Sequence, residues 1–243
     1  MATDYNVIAE RYGRAKLEPW RSLIETFSLL DMVGDLTGHS VVDLACGEGY
    51  YSRVLKWRGA GKVVGIDLSE RMIDLARAAE KAHPLGIEYL VGDCRDIHPK
   101  EPFDLAVAAF LLNNAKNRSE LASMCRGVAR CLNPGGRFVT ANTNSEIDLA
   151  GAAALRRYGL HVGTEGELRD GTPMNWTFDL EDGPLRVESY YLNAVAHEEA
   201  LRSAGFREIR WHRPRLSPAG DVIGDYWEPF LSLAPVIFIE CRK

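Results

Sequence analysis

Val41-Val42-Asp43-Leu44-Ala45-Cys46-Gly47-Glu48-Gly49-Tyr50-Tyr51-Ser52 is the stretch on which the fold turns. Its apolar residues around one acid read as a buried strand. Gly47 and Gly49 read as a tight turn, where backbone passes close to a ligand because glycine carries no Cβ. A helix starts near Tyr50. The next apolar run, Lys62-Val63-Val64-Gly65-Ile66-Asp67, reads as a second strand ending on a second acid. A glycine turn after one strand and an acid closing the next is the general arrangement for holding a nucleoside across strand ends.

Two ligands use that arrangement. Gly47-x-Gly49-x-x-Ser52 is close to the dinucleotide fingerprint G-x-G-x-x-G/A. Asp43 would repel a pyrophosphate, whereas it suits a ligand with a cationic amino-acid end. The run VVDLACGEG resembles the first motif of the class I S-adenosylmethionine (SAM) methyltransferases. The resemblance continues in family order over roughly residues 40 to 142. Gly65-Ile66-Asp67-Leu68-Ser69 with Met72 is similar to the second motif, and Val91-Gly92-Asp93-Cys94-Arg95-Asp96 to the third. Phe103-Asp104-Leu105-Ala106-Val107-Ala108 is similar to the fourth strand, and Leu132-Asn133-Pro134-Gly135-Gly136-Arg137-Phe138 to the turn before the fifth.

The resemblance implies a bacterial small-molecule methyltransferase with SAM as cofactor and S-adenosylhomocysteine as product. It also implies roles by position. Gly47 and Gly49, with Ala45, approach the methionine portion, and Asp43 orients its amino-acid end. Asp67 accepts the ribose hydroxyls beside Leu68, and Met72 packs on adenine or ribose. Asp93 meets the adenine amino group with the Cys94 backbone nearby. Phe110 stands at the active-site mouth, and Tyr12 belongs to an N-terminal helix of the kind many small-molecule methyltransferases carry. Phe110-Leu111-Leu112-Asn113-Asn114 replaces the Asn/Asp-Pro-Pro-aromatic motif of nucleic-acid N-methyltransferases, so DNA-base methylation is disfavoured.

The alternatives are a Rossmann-type NAD(P)-dependent oxidoreductase and a non-catalytic SAM-binding protein. Tyr12 and Lys16 have the Tyr-x-x-x-Lys spacing of many such oxidoreductases. They precede the first strand, however, where that pair does not belong.

Composition agrees with a globular chain of 243 residues, 46% hydrophobic and 26% charged. A net charge of −5 disfavours a phosphate backbone as partner, since such binding rests on Lys/Arg patches. Five cysteines without a C-x-x-C point to a reduced, cytoplasmic protein, and neither a metal signature nor a membrane-length apolar run occurs. No metal, nucleic-acid or membrane partner is expected, and the assembly is expected to be a monomer or homodimer.

Strands alternating with helices imply parallel pairing with right-handed crossovers. The expected architecture is a doubly wound α/β fold. Its seven-stranded, mostly parallel sheet closes with a terminal antiparallel hairpin, strands 206–213 and 236–241. Residues 1–39 form a helical lid, with Pro19 opening its second helix. Residues 40–243 form the methyltransferase domain, with a substrate-cap insertion at about 148–195 built on a short helix and a β-hairpin, 175–180 and 186–192.

Aromatic residues crowd the segments outside the SAM motifs. Trp20, Trp176, Tyr190 and Trp211 are candidates to line a pocket for a flat acceptor. Arg210 and Arg213, in a basic cluster over 207–215, are candidates for an anionic acceptor such as an isoprenyl diphosphate. Glu167, Asp170 and Tyr190 are candidates for a catalytic base in O- or C-methylation.

Overall fold

The structure, a computed structural model, describes residues 3–243, with the backbone alone for Val222 and Ile223. The strands in chain order are β1 (Ser40–Leu44), β2 (Lys62–Asp67), β3 (Glu88–Val91), β4 (Phe103–Ala109) and β5 (Leu132–Thr143). They continue with β6 (Leu160–Thr164), β7 (Pro173–Leu180), β8 (Gly183–Tyr190), β9 (Arg207–His212) and β10 (Val236–Arg242). The α-helices are α1 (Tyr5–Ala15), α2 (Phe27–Val33), α3 (Tyr50–Trp57), α4 (Glu70–Ala82), α5 (Arg118–Cys131), α6 (Ala194–Ser203) and α7 (Glu228–Leu233).

Seven strands form one sheet in the order β3-β2-β1-β4-β5-β10-β9. The first five are parallel, and β10 runs antiparallel to both β5 and β9. The chain leaves β1 toward β3, then crosses back to β4, so strand order reverses between β1 and β4. Ligands bind at such a switch point, outside the carboxyl ends of the strands. Successive side chains face opposite sides of the sheet. Val41 therefore joins a core with Leu29, Val33, Leu55 and Ile73, while Val42 and Leu44 join one with Leu121, Val128, Leu201 and Phe206.

Local signals set the helix starts. The Ser69 hydroxyl accepts from Met72 N–H at 3.2 Å, Asn117 from Glu120 N–H at 2.9 Å and Asn193 from Ala196 N–H at 2.8 Å. The helix expected after Pro19 is present and runs unbroken to Val33, but its Arg21–Thr26 part is wound as a π-helix before α2. Such widened turns gather at functional sites. The insertion also differs from the expected hairpin. β6, β7 and β8 form a separate three-stranded antiparallel sheet, preceded by a short 3₁₀ segment at Ala152–Tyr158. Met174, Trp176 and Phe178 alternate inward on β7, as do Leu185, Val187 and Ser189 on β8.

Gly127 illustrates how tightly the core meets the site. It lies on α5, where alanine normally gains up to about 1 kcal/mol of helix propensity. A Cβ there would stand 1.9 Å from the Cys94 carbonyl oxygen, a backbone atom that cannot swing away. Gly127→Ala is therefore expected to lose about 1–3 kcal/mol through overpacking, read as a lower urea midpoint at unchanged slope. A stabilised variant would show that the contact relaxes freely.

Candidate functional site

A cavity of about 360 Å³ opens at the carboxyl ends of β1, β2 and β4. That is within the range of pockets that bury cofactor-sized molecules. Of the residues assigned to the cofactor from sequence, Tyr12, Ala45, Gly47, Asp67, Leu68, Met72, Asp93, Cys94 and Phe110 line it. Asp43 and Gly49 are not on its wall. Gly49 caps α3 at φ +81°, and a Cβ there would meet the Tyr89 hydroxyl at 2.4 Å. Ala45 and Phe110, just past β1 and β4, also hold left-handed φ, +57° and +64°. Non-glycine residues take that conformation at a cost, and such positions cluster at ligand sites.

Asp67 is fixed by two backbone donors. Its Oδ2 accepts from Gly47 N–H and its Oδ1 from Ser69 N–H, both at 2.8 Å. Each carboxylate oxygen keeps a second lone pair. Burial raises the Asp67 pKa against these bonds and the nearby Lys16. Asp43 accepts from the Ser52 hydroxyl at 2.6 Å, and its other oxygen is buried without a partner. Burial pushes its carboxyl up to about 7, with Ser52 and Lys16 opposing. Asp93 is held by Arg95, whose Nε lies 2.9 and 3.0 Å from the two carboxylate oxygens, and this bonding lowers its pKa.

The sequence reading missed the polar residues on the N-terminal wall. Lys16 pairs with Glu48 at 2.9 Å, and Arg21 with Glu25 at 2.7 Å. The second pair is only 3% and 2% exposed, yet both residues line the cavity. Tyr51 donates to the other Glu25 oxygen at 2.6 Å. Burial and the adjacent Glu25 push the Tyr51 hydroxyl far above the ordinary tyrosine range, so it stays a donor. The opposite charges Arg21 and Glu25, one turn apart and flanked by Trp20, Leu23, Ile24 and Phe27, are the signal that could have found this pair.

A second, smaller pocket of about 30 Å³ adjoins the first and shares Tyr5, Tyr12, Arg21 and Phe110 with it. Trp20 and Trp176 line this pocket, together with Phe178 and Asn113. The Arg21 guanidinium lies 4.3 Å from the Trp20 ring, 5.1 Å from Phe110 and 5.3 Å from Phe178. Tyr190 lines the large cavity and donates to Glu188 at 2.8 Å. Burial, then Glu188, pushes its hydroxyl up to about 12, which makes it a proton donor rather than a base at neutral pH.

Five candidates are not brought to either pocket. Trp211 stands on β9 and donates to Glu198 of α6 at 3.2 Å. Arg213 donates to the Leu231 and Ser232 carbonyls at the end of α7, where exposed carbonyls attract a cation. Arg210 is exposed, 3.7 Å from Glu208. Glu167 pairs with the exposed Arg169. Asp170 accepts from Arg118 and from Asn193 N–H, tying the loop before β7 to α5 and α6. Each of these four charged side chains is satisfied locally, outside the walls of both pockets.

Among the described residues no helix is long and apolar enough to cross a membrane, and no three His, Cys, Asp or Glu side chains gather as a metal site.

Comparison with known proteins agrees with this geometry. A family model described as a methyltransferase domain matches residues 41–136. The chain is 28% identical over 218 residues to N-demethylindolmycin N-methyltransferase of Streptomyces griseus, covering 86% of this chain and 90% of that protein. It is 29% identical over 234 residues to demethylmenaquinone methyltransferase of Deinococcus radiodurans, covering 88% and 93%. The crystal structure of an S-adenosylmethionine-dependent methyltransferase from Mesorhizobium loti superposes with a TM-score of 0.65 at 25% identity, covering 90% and 97%.

Proposed function

Because the chain belongs to the S-adenosylmethionine-dependent methyltransferases, we propose that the large cavity holds SAM and that the adjoining aromatic pocket receives a small, flat acceptor. The chain is a methyltransferase of the small-molecule type that uses SAM. The carrying observation is Asp67, a carboxylate pinned by two backbone donors at the end of β2 with lone pairs to spare on the cavity wall.

SAM, when bound, supplies a methyl group on a sulfonium that is already a good leaving group. The protein's part is then closeness and alignment, which can supply about 7–11 kcal/mol of a barrier. On this reading Asp67 receives the ribose hydroxyls, and Asp93, Cys94 and Met72 surround the adenine. The Ala45–Gly47 backbone approaches the methionine portion. Asp43 supports that turn from behind through Ser52. Tyr12 and Phe110, shared by both pockets, flank the path between donor and acceptor.

The preference for SAM over a dinucleotide is supported by the methyltransferase family model and relatives and by the antiparallel β10 that closes the sheet. The acceptor is proposed to be an aromatic or heterocyclic nitrogen, oxygen or carbon. Trp20, Trp176 and Tyr190 supply its walls, and a neutral nitrogen needs no strong base. A diphosphate is not favoured, since Arg210 and Arg213 stand away from both pockets. Nucleic acid is not favoured by the net charge of −5. The five cysteines, all buried and free, suit a cytoplasmic setting. We read residues 1–39 as the lid, of which Met1 and Ala2 lie outside the described residues. Its support is α1, tied to α4 by Arg71 with Glu10 and by Asn6 with Ser69, while Tyr12 and Lys16 face the cavity. The segment around 148–195 is read as the acceptor cap.

Calorimetry with SAM, S-adenosylhomocysteine, NAD and NADP tests the proposal, with binding expected for the first two alone. Asp67→Ala is expected to weaken SAM by about 1.5–3 kcal/mol, or roughly ten- to a hundredfold. Unchanged affinity in a folded variant, or tight NADP binding without SAM binding, would sink the reading.

A further inference from the structure

The aromatic pocket carries an unusual set of unfilled polar atoms. Trp20 Nε1, Arg21 Nε and Asn113 Oδ1 are all buried without a hydrogen-bond partner, and all three residues line it. Native structures hold few such atoms, and each calls for an explanation. Three on one small wall, among aromatic faces, make a recognition pattern of two donors and one acceptor.

Asn113 is held in place by a chain of bonds from α6. His197 Nδ1 lies 3.0 Å from the Asn193 carbonyl, and His197 Nε2 lies 3.0 Å from Asn142 Nδ2. Burial lowers the His197 pKa, so the ring is neutral, with one N–H and one acceptor nitrogen. Nδ1–H donates to the Asn193 carbonyl, and Nε2 accepts from the Asn142 amide. That turns Asn142 Oδ1 to accept from Asn113 N–H at 3.1 Å. The backbone of Asn113 is thereby fixed, while its side-chain oxygen is left open.

Building on the methyltransferase reading above, we propose that this pocket selects acceptors that carry a neutral cyclic amide, a ring carbonyl beside a ring N–H. Only the amide edge enters the 30 Å³ pocket: the carbonyl accepts from Arg21 Nε–H and Trp20 Nε1–H and the N–H donates to Asn113 Oδ1, while the rest of the ring lies against Tyr12 and Phe110, where the pocket adjoins the large cavity. A carboxylate fits less well. Arg21 already spends its charge on Glu25 at 2.7 Å, so the charge of an incoming anion would be left uncompensated. A simple hydrocarbon ring leaves all three atoms empty.

The test uses the full chain loaded with S-adenosylhomocysteine and four probes of similar shape: quinolin-2-one, 1-methylquinolin-2-one, quinoline and naphthalene. Calorimetric titration is expected to show quinolin-2-one binding at least tenfold tighter than each of the others. Asn113→Leu should reduce its advantage over 1-methylquinolin-2-one to less than twofold, with affinity for S-adenosylhomocysteine and naphthalene unchanged. Trp20→Phe keeps the ring and removes the donor. It should weaken quinolin-2-one three- to tenfold while sparing naphthalene. Equal binding of the four probes, no binding of quinolin-2-one to the loaded protein, or selectivity intact in both variants overturns the proposal. A chain that fails to bind S-adenosylhomocysteine at all defeats the methyltransferase reading beneath it, and that failure is read before any probe is added.

Discussion

Arg21→Met should destabilise the protein by about 3–5 kcal/mol, the largest loss expected from a single substitution at this site. Glu25 is 2% exposed, and its carboxylate has two partners, Arg21 Nη1 and the Tyr51 hydroxyl. Methionine fills much of the arginine's volume among Trp20, Phe110 and Phe178, so packing is largely kept. What remains is a buried carboxylate with one neutral donor. The double variant Arg21→Met, Glu25→Leu removes both charges and should recover most of the loss, since well-packed apolar replacements of buried pairs are often neutral or better. Urea unfolding of the wild type, both single variants and the double variant measures the coupling directly. A loss below about 1 kcal/mol for Arg21→Met, or no recovery in the double variant, would show that water reaches the pair. The ion pair is thus poor value as stability alone. Its place on the wall between two pockets, inside a π-helix, accords with a group kept for recognition.

The parts of this molecule that were legible in the sequence are those fixed by local backbone demands. The glycine turn after β1, the acid within β1, the acid closing β2 and the alternation of apolar runs each follow from neighbours in the chain. They fixed the seven-stranded sheet and the location of the cavity. What escaped depends on contacts between distant segments. β6 has a single fully buried residue, Leu160, and forms only because Phe178 and Trp176 present a partner strand. The basic run over 207–215 gave the impression of an anion site. Arg213 is instead consumed by the end of α7, and Arg215 by Asp31, 184 residues earlier. Trp211 looked like a pocket wall, yet β9 is the sheet edge farthest from β1 on its side, and its indole turns to α6. Nothing local in the sequence marks Lys16 and Arg21 as buried. Their burial is set by Glu48 and Glu25 together with an aromatic cap drawn from β7 and the loop after β4.

The stability contribution of Asp43 should fall as pH rises from about 4 to 7, by roughly 4 kcal/mol across that window. The native carboxyl titrates near 7 because burial opposes its charge, whereas in the unfolded chain it titrates near 3.9. Between those values the native state holds a proton that the unfolded state has lost. Unfolding stability then declines with pH, by about 1.4 kcal/mol per unit, and levels off above the native value. Asp67, also raised by burial, acts in the same direction. Glu48, held down by Lys16 against its burial, and Asp104, held down by Ser40, act in the opposite direction at lower pH. The wild-type curve alone is therefore a mixture. The difference between wild type and Asp43→Asn isolates the one group, because the amide keeps the Ser52 contact and does not ionise. That variant should gain about 3 kcal/mol on the wild type as pH is raised from 4.5 to 8, in urea unfolding at each pH. A flat difference would mean that the buried oxygen is hydrated and the carboxyl ordinary. A cationic amino-acid end brought to this turn would favour the ionised form and pull the native pKa back down. SAM affinity should accordingly rise with pH up to about 7 in the wild type, with proton release on binding, and lose most of that pH dependence in Asp43→Asn.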